Sequence, residues 1–283
     1  MFNKLMAKSD NNKIKILFLG DIFGERGVQI VVENLPKIIK QTKPDLVICQ
    51  AENVSGRKGL TPADYQKLKN AGVNVFTLGN HVWGKEEILQ IINNDDIARP
   101  GNIESGYAGK GSVVFTTKHG KTVRIVSLMG ITFNKLLPPW RQEVANNFFD
   151  YMDYVLEREE KTDFVFVDFH AETTSEKAVL ALYLDGKVDA IVGTHTHVQT
   201  NDARILPKGT AFCTDAGMCG TINSAIGANF EEVYLKMRYG AKALFKASEE
   251  KECQICGVLC ELNSLNKENN KISLIKQFFT LKT

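Results

Sequence analysis

Five apolar runs in this chain each end on side chains that can bind a metal ion. The runs begin at Ile16, Leu46, Val75, Phe164 and Ala190, and turn residues bound each of them, which is typical of strands buried on both faces. Their ends carry carboxylate, carboxamide and imidazole groups, which are Asp21, Glu52, Asn53, Asn80, His81, His170, His195 and His197. This donor set suits divalent cations and leaves one histidine for proton transfer.

These donors form a site only where the strands that carry them run side by side. In an open α/β sheet, ligands gather beyond the carboxyl ends of the strands, so we expect all the clusters to meet at one rim. The sharpest local signal is Gly193-Thr-His195-Thr-His197, because two imidazoles two residues apart can reach one small volume where the chain bends. Glu52 adds to it, since a carboxylate at the end of a buried run is costly unless it is paired or metal-bound.

Single donors in this set have other interpretations. Asp21 follows Gly20 and is a common type of helix N-cap, and Asn80 follows Gly79 and is a common turn residue. Each alternative is plausible by itself. The repetition of polar groups at the same end of five strands favours metal ligation over these separate explanations.

Strand-like runs alternate with amphipathic helical stretches from about residue 14 to 94, which indicates βαβ units and a largely parallel sheet. The predicted helices cover residues 28–41, 61–71, 141–159, 175–184 and 231–245. The predicted later strands cover residues 112–117, 122–128, 203–206, 210–213, 253–262 and 271–280. We expect one α/β domain over residues 14–283 after a disordered tail at 1–13, with parallel order at its start and more antiparallel strands toward its end.

The composition excludes several classes of function. A net charge of +2, from 35 basic and 33 acidic residues, predicts no strong nucleic-acid surface and no attraction to an anionic membrane. No apolar stretch approaches the roughly 20 residues that cross a bilayer, and residues 1–13 do not resemble a signal peptide. Six scattered cysteines fit reduced thiols, so we expect a cytoplasmic protein.

The order of the polar clusters resembles the calcineurin-like metallophosphoesterases, whose motifs run Gly-Asp, Gly-Asn-His, a lone His and Gly-His-x-His at successive strand ends. Three departures are specific: Asp21-Ile22-Phe23 lacks the usual histidine, Ala51-Glu52-Asn53 replaces a usual Gly-Asp, and Thr194 stands in for part of the usual final motif. These departures, together with residues 167–177 and 184–197, resemble the bacterial YmdB-like branch of cyclic-nucleotide phosphodiesterases. Residues 214–220 are similar to a further loop of that branch, and the resemblance covers nearly the whole chain after residue 14.

The resemblance implies a metallophosphoesterase sandwich, in which helices flank central β-sheets. It also implies two divalent ions, with iron preferred over manganese or zinc, activity on 2′,3′-cyclic nucleotides and related phosphodiesters, and a homo-oligomer, either a dimer or a tetramer. By position, one ion would be held by Asp21, Glu52, Asn53 and His197. The other would be held by Glu52, Asn80, His170 and His195, so that Glu52 bridges the two.

This arrangement implies a hydrolytic mechanism. A hydroxide shared between the ions would be the nucleophile, because two positive charges lower its pKa. His81 is not needed as a ligand. Beside Asn80 it would give a proton to the departing ribose oxygen.

Two other functions stay open at this stage. One is a metal-stabilised regulatory protein that binds a nucleotide or an RNA end without turnover. The other is a nicotinamide-dependent oxidoreductase, which depends only on the imperfect glycine pattern Gly20-x-x-x-Gly24-x-x-Gly27. A zinc or iron–sulfur site at Cys253, Cys256 and Cys260 is disfavoured, because three thiols without a fourth ligand do not close a tetrahedral site.

Overall fold

The computed structural model describes residues 12–281 and forms an α/β sandwich. The predicted tail at 1–13 lies outside the described residues up to residue 11, and Lys13 is the first residue of strand β1. The strands are β1 Lys13–Leu19, β2 Asp21–Ile22, β3 Leu46–Gln50, β4 Val75–Thr77, β5 Ile97–Ala98, β6 Ser112–Thr116, β7 Thr122–Met129, β8 Phe164–His170, β9 Ala190–Thr194, β10 Arg204–Ile205, β11 Ala211–Cys213, β12 Met218–Thr221, β13 Glu252–Asn263 and β14 Lys271–Thr280.

The first sheet has the strand order β2-β12-β13-β1-β3-β4-β5, and β14 pairs with β13. Strands β1, β3, β4 and β5 run parallel, whereas β13 is antiparallel to β1, β12 and β14. The parallel group comes from the start of the chain and the antiparallel group largely from its end, as the sequence predicted.

The second sheet has the order β10-β11-β9-β8-β7-β6. Its strands β7, β8, β9 and β11 are parallel, while β6 pairs antiparallel with β7. The prediction that parallel order belongs to the start of the chain was therefore too narrow. Helices connect β7 to β8 and β8 to β9, and such crossovers return the chain in the same direction.

The two sheets pack face to face, which explains why their central strands are buried on both sides. Ile16 and Phe18 of β1 point toward the second sheet, where Phe18 meets Phe166 with ring centroids 5.2 Å apart. The alternate residues Leu17 and Leu19 pack in the opposite direction, in the cluster that contains the helices of the first sheet. Both faces of β1 are thus covered, as continuous apolar runs predict.

The helices are α1 Gly24–Thr42, α2 Pro62–Ala71, α3 Phe148–Arg158, α4 Thr174–Leu184 and α5 Phe230–Tyr239. The first four cover the outer faces of the sheets. Residues of α1 and α2 pack on the first sheet, and residues of α3 and α4 pack on the second. The predicted sandwich of central sheets flanked by helices is confirmed.

Two predicted helices were too long. The helix predicted over 141–159 begins at Phe148, because the Asn147 side chain accepts hydrogen bonds from the N–H groups of Phe149 and Asp150 and caps it there. The helix predicted over 231–245 ends at Tyr239, because Gly240 adopts a left-handed conformation with φ 67° and closes the last turn.

Within residues 12–281, all six cysteines are buried and free of disulfide bonds, as expected for reduced thiols. In the same part of the chain, none of the helices combines the length and apolar character that a bilayer crossing requires.

Candidate metal centre

The polar strand ends meet where the edges of the two sheets come together. The first sheet supplies oxygen donors, which are Asp21 on β2, Glu52 and Asn53 after β3, and Asn80 after β4. The second sheet supplies imidazoles, which are His170 at the end of β8, and His195 and His197 after β9. The structure therefore brings together residues that the sequence placed on separate strands.

Glu52 lies at the middle of this group and is buried, with 1% of its surface exposed. Its Oε1 lies 3.2 Å from His170 Nε2 and 3.0 Å from His81 Nδ1, and its Oε2 accepts the His81 backbone N–H at 2.8 Å. Asn53 Nδ2 also donates to Oε1 at 3.0 Å. One carboxylate thus touches groups on both sides of the centre, which is the position a bridging ligand requires.

On one side of Glu52 lie Asn80, His170 and His195. The His170 Nε2 atom is 3.0 Å from Asn80 Oδ1 and 2.9 Å from His195 Nδ1. One ligand atom each from Glu52, His170 and His195 falls within 4.8 Å of the others, a spacing that one metal ion can span. Three of the four ligands predicted for this ion are carboxylate and imidazole groups, and the fourth is the Asn80 amide.

On the other side of Glu52 lie Asp21, Asn53 and His197. The His197 Nε2 atom is 3.6 Å from Asp21 Oδ1 and 3.2 Å from Asn53 Nδ2. Asp21 is fully buried, and its Oδ1 has no hydrogen-bond partner among residues 12–281. A buried carboxylate oxygen without a partner is costly, and a cation would satisfy it.

The residues present fit two divalent cations. Oxygen and imidazole donors without thiolates suit iron, manganese or zinc, and both groups of donors share Glu52. Gly79 keeps space open between them, because a Cβ atom there would lie 2.4 Å from Glu52 Oε2 and 2.4 Å from His170 Cδ2. The absence of a side chain at Gly79 is therefore required by the close approach of Glu52 and His170.

Charges in the centre are strongly coupled. Burial by itself raises the pKa of Glu52, but the imidazoles of His170 and His81 outweigh it and hold this pKa well below its usual range. Burial likewise opposes the charge of His170, yet Glu52, Asp21 and Asp168 raise its pKa to about 9. Burial and the neighbouring His170 charge lower the pKa of His195 to about 3. The imidazoles thus favour the ionised Glu52 carboxylate, which is the form that binds metal, whereas a metal ion bound to His170 would displace the proton of that ring.

His81 lies at the edge of the centre and is partly exposed. Its Nδ1 is 3.0 Å from Glu52 Oε1 and 2.9 Å from Asn53 Oδ1, and both of these atoms accept hydrogen bonds. The Nδ1 atom therefore carries a proton, and Nε2 has no hydrogen-bond partner among the described residues. Because His81 lines the adjoining cavity, its second nitrogen is available to a bound molecule.

Thr194, Asp168 and Gln50 surround His170 and orient it, although their types and positions in the sequence did not predict this role. Thr194 Oγ1 lies 3.0 Å from His170 Nδ1 and donates to Asp168 Oδ1 at 2.7 Å. Thr194 can thus accept the Nδ1 proton, which turns Nε2 toward the centre. Gln50 Nε2 lies 3.1 Å from His170 Nδ1, and Gln50 Oε1 accepts the Glu52 N–H at 2.8 Å. The available signal was a polar residue inside an apolar run, as with Asp168.

The turn after β9 has a strained backbone. His195 and His197 have φ values of 100° and 64°, in a region that costs roughly 1–3 kcal/mol for a residue other than glycine. Asp215 Oδ2 accepts the backbone N–H of Thr196 at 3.1 Å and its hydroxyl at 2.8 Å. Lys177 donates to the same oxygen at 2.9 Å, and both members of this pair are fully buried. Asp215 therefore holds the residue that separates the two histidines.

A cavity of about 880 Å³ opens onto this centre. Glu52, Asn53, His81, His195 and His197 form its polar floor. Its walls include Arg57, Lys58 and Arg238, and an apolar surface made by Phe23, Ile226, Phe230, Val233, Tyr234, Met237 and Phe245. The cavity thus joins cations, apolar area and the candidate metal centre in one space of the size usual for ligand sites.

Comparison with known proteins identifies similar chains. A family model described as YmdB-like protein matches residues 17–275. The 2′,3′-cyclic-nucleotide 2′-phosphodiesterase of Bacillus subtilis (strain 168) is 38% identical over 263 residues, which are 93% of this chain and 96% of that protein.

Two solved structures are similar over most of the fold. A protein described as a novel phosphatase, from Mycoplasma pneumoniae, superposes with a TM-score of 0.85 at 38% identity and covers 95% of each chain. A hypothetical protein from Thermus thermophilus also gives a TM-score of 0.85, at 35% identity, and covers 93% of this chain and 100% of its own. The family resemblance predicted from the motifs is confirmed.

Proposed function

Because the chain belongs to the YmdB-like protein family, we propose that it is a dinuclear metal-dependent phosphodiesterase that opens 2′,3′-cyclic nucleotides and related phosphodiesters by hydrolysis. The chain is a hydrolase of the metallophosphoesterase type. The proposal of two metal ions and a hydrolytic step is supported by Glu52, where oxygen donors from one sheet and imidazoles from the other converge. A protein with a net charge of only +2 needs such a local cluster of cations to hold a phosphate.

We assign the ligands to two ions that share Glu52. The first set is Asp21, Glu52, Asn53 and His197, and the second is Glu52, Asn80, His170 and His195. Two divalent ions so bound would polarise the phosphoryl oxygens and lower the pKa of a water molecule. Iron is the preferred metal, with manganese and zinc as alternatives, and the proposal includes a cytoplasmic homo-oligomer, either a dimer or a tetramer.

His81 is the proposed general acid. Its Nδ1 is held by Glu52 and Asn53, so the ring is oriented before substrate arrives, and its Nε2 has no hydrogen-bond partner among residues 12–281. In the reaction, a water oxygen bonds to phosphorus and gives up one proton to solvent, and the bond between phosphorus and one ribose oxygen breaks. That ribose oxygen takes the Nε2 proton of a His81 ring protonated on both nitrogens, and solvent returns a proton to Nε2 after the step. The product is a nucleoside monophosphate, and general acid catalysis of this kind contributes about 10²–10⁴-fold.

The test separates metal binding from proton transfer. Glu52→Gln should lose both ions in elemental analysis, because it removes the shared carboxylate. His81→Ala should retain its metal and lose about 10²-fold or more in turnover of 2′,3′-cyclic AMP, with a smaller loss on a p-nitrophenyl ester whose leaving group needs no proton. The matched control is His119→Ala, an exposed histidine at the β6–β7 turn, which should change neither property.

Two outcomes would contradict the proposal. Metal-loaded protein that binds 2′,3′-cyclic AMP and releases no product would instead be a nucleotide-binding regulatory protein. A His81→Ala variant with undiminished turnover of substrates with poor leaving groups would remove His81 from the acid role and leave the metal assignment standing.

A further inference from the structure

One face of helix α5 carries a row of flat side chains. Phe230, Tyr234 and Arg238 are spaced four residues apart, so they lie one above another on the same face. The Phe230 and Tyr234 rings stack with centroids 5.5 Å apart and an interplanar angle of 20°. Arg238 Cζ lies 5.7 Å from the Tyr234 centroid. We call these three residues the α5 platform.

The α5 platform lines the cavity that contains the candidate metal centre. All three of its residues line this cavity, together with Glu52, His81 and the other residues of the polar floor. Phe230 is 62% exposed, although it is a large apolar side chain. Because the α5 platform and the candidate metal centre line the same cavity, a molecule held at the floor would extend along the platform.

The cavity is larger than a phosphate group requires. Its volume of about 880 Å³ has room for a phosphate on the floor and a second, flat group beside it. Arg57 and Lys58 also line the cavity and would complement a phosphate charge. A small dialkyl phosphate would reach these cations and leave the aromatic wall exposed to water.

We propose that the α5 platform binds the nucleobase of the substrate, and so restricts efficient substrates to phosphodiesters that carry a base. This inference rests on the proposed function, which places the phosphate at the metal centre. Bases stack on aromatic rings and on guanidinium planes, and stacking is tolerant of base identity because every base has a flat π face. The platform would thus supply affinity for nucleotides as a class, with purines favoured by their larger area.

The test compares two substrates with the same phosphodiester. One is 2′,3′-cyclic AMP and the other is the abasic methyl riboside 2′,3′-cyclic phosphate. Phe230→Ala should raise KM about tenfold for cyclic AMP, which equals about 1.4 kcal/mol and falls within the range of base–aromatic stacking, and should leave kcat unchanged. It should leave both constants for the abasic substrate unchanged, because that substrate has nothing to stack.

Two further variants control for the fold. Phe230→Trp keeps a flat group and should retain a low KM for cyclic AMP. Leu235→Ala removes an apolar side chain of the same helix that is 37% exposed and does not line the cavity, so it should change neither substrate. Equal effects of Phe230→Ala on both substrates would overturn the proposal.

A binding measurement distinguishes this proposal from the proposed function. If no version of the protein hydrolyses either substrate, the phosphodiesterase assignment fails, and calorimetric titration of the full-length, metal-loaded protein with 2′,3′-cyclic AMP still decides the platform. Phe230→Ala should then bind about tenfold more weakly than Leu235→Ala. If instead Phe230→Ala binds as tightly as the unaltered protein and changes the mass of the assembly in solution, the row is a subunit interface and the proposal is wrong.

Discussion

The buried ion pair between Lys177 and Asp215 should control metal affinity without touching a metal ion. Asp215 accepts the N–H and hydroxyl of Thr196, and Thr196 lies between His195 and His197, whose backbones are both in the left-handed region. Lys177, from helix α4, fixes the same carboxylate oxygen at 2.9 Å. Replacing Lys177 should therefore loosen the turn that aims both imidazoles.

The cost can be estimated from the burial of the pair. Both side chains are fully buried, and removing one member of such a pair costs about 3–5 kcal/mol, because the other charge loses its partner. In Lys177→Met the Asp215 carboxylate keeps hydrogen bonds from Thr196 and from the Gly217 N–H at 2.8 Å, so the lower end of that range applies. For a chain of this size, that destabilisation lowers the melting temperature by roughly 10 °C.

A double variant separates stability from positioning. Lys177→Met with Asp215→Leu replaces the pair by apolar groups and should recover most of the lost stability, because no unpaired charge remains buried. It still lacks the acceptor for Thr196, so calorimetric titration with Mn²⁺ should show affinity about 10–100-fold below that of the unaltered protein. A double variant that regained its melting temperature and bound Mn²⁺ at full affinity would refute this reasoning.

Two further predictions concern the centre itself. Gly79→Ala should abolish metal binding while the protein stays folded, because its Cβ would lie 2.4 Å from Glu52 Oε2 and from His170 Cδ2. Metal titration would measure the binding, and circular dichroism would check the fold. A normal metal content would contradict the prediction. In metal-free protein, the raised pKa of His170, about 9, contributes stability that is complete below about pH 6.5 and is lost as pH rises through 9. Burial raises the pKa of Asp168 to about 7, which acts in the same direction. The melting temperature of chelator-treated protein should therefore fall between pH 6 and pH 9. A melting temperature that rises across that interval would show that these charges do not stabilise the folded protein.

The longer strands and most helix starts were accessible to sequence reasoning because their causes are local, whereas the short strands β2, β5 and β12 were not predicted. The helix predicted over residues 61–71 begins with Thr61, Pro62 and Asp64, which suit a helix start, and the Asp64 N–H donates to Thr61 Oγ1 in the structure. The start of α3 was missed for the opposite reason. Residues 141–147 have helical composition, but Asn146 exchanges hydrogen bonds with Asn102, which is 44 residues away, so the helix begins only after the Asn147 cap.

The supports of the site could not be predicted, because they are contacts across long sequence separations. Lys177 and Asp215 lie 38 residues apart. Residues 214–220, which include Asp215, resemble a loop of the YmdB-like branch, but that resemblance assigned no function to them. The α5 platform was hidden in the same way, since the predicted helix at 231–245 had the right periodicity but nothing in the sequence placed it beside His195. Each ligand was predictable from its own strand end, whereas the groups that orient the ligands become visible only when the sheets are packed.

The division of donors between the two sheets has a consequence for stability. Asp21, Glu52, Asn53 and Asn80 all come from the first sheet, and the three ligand histidines all come from the second. A divalent ion held by both sets would therefore cross-link the sheets at their shared edge, where buried carboxylates and imidazoles now meet directly. Because the donors are far apart in the unfolded chain, such an ion binds the folded protein far better, and its binding free energy becomes stability of the packing between the sheets. The same geometry that builds the site thus makes the packing of the two sheets against each other a requirement for its chemistry.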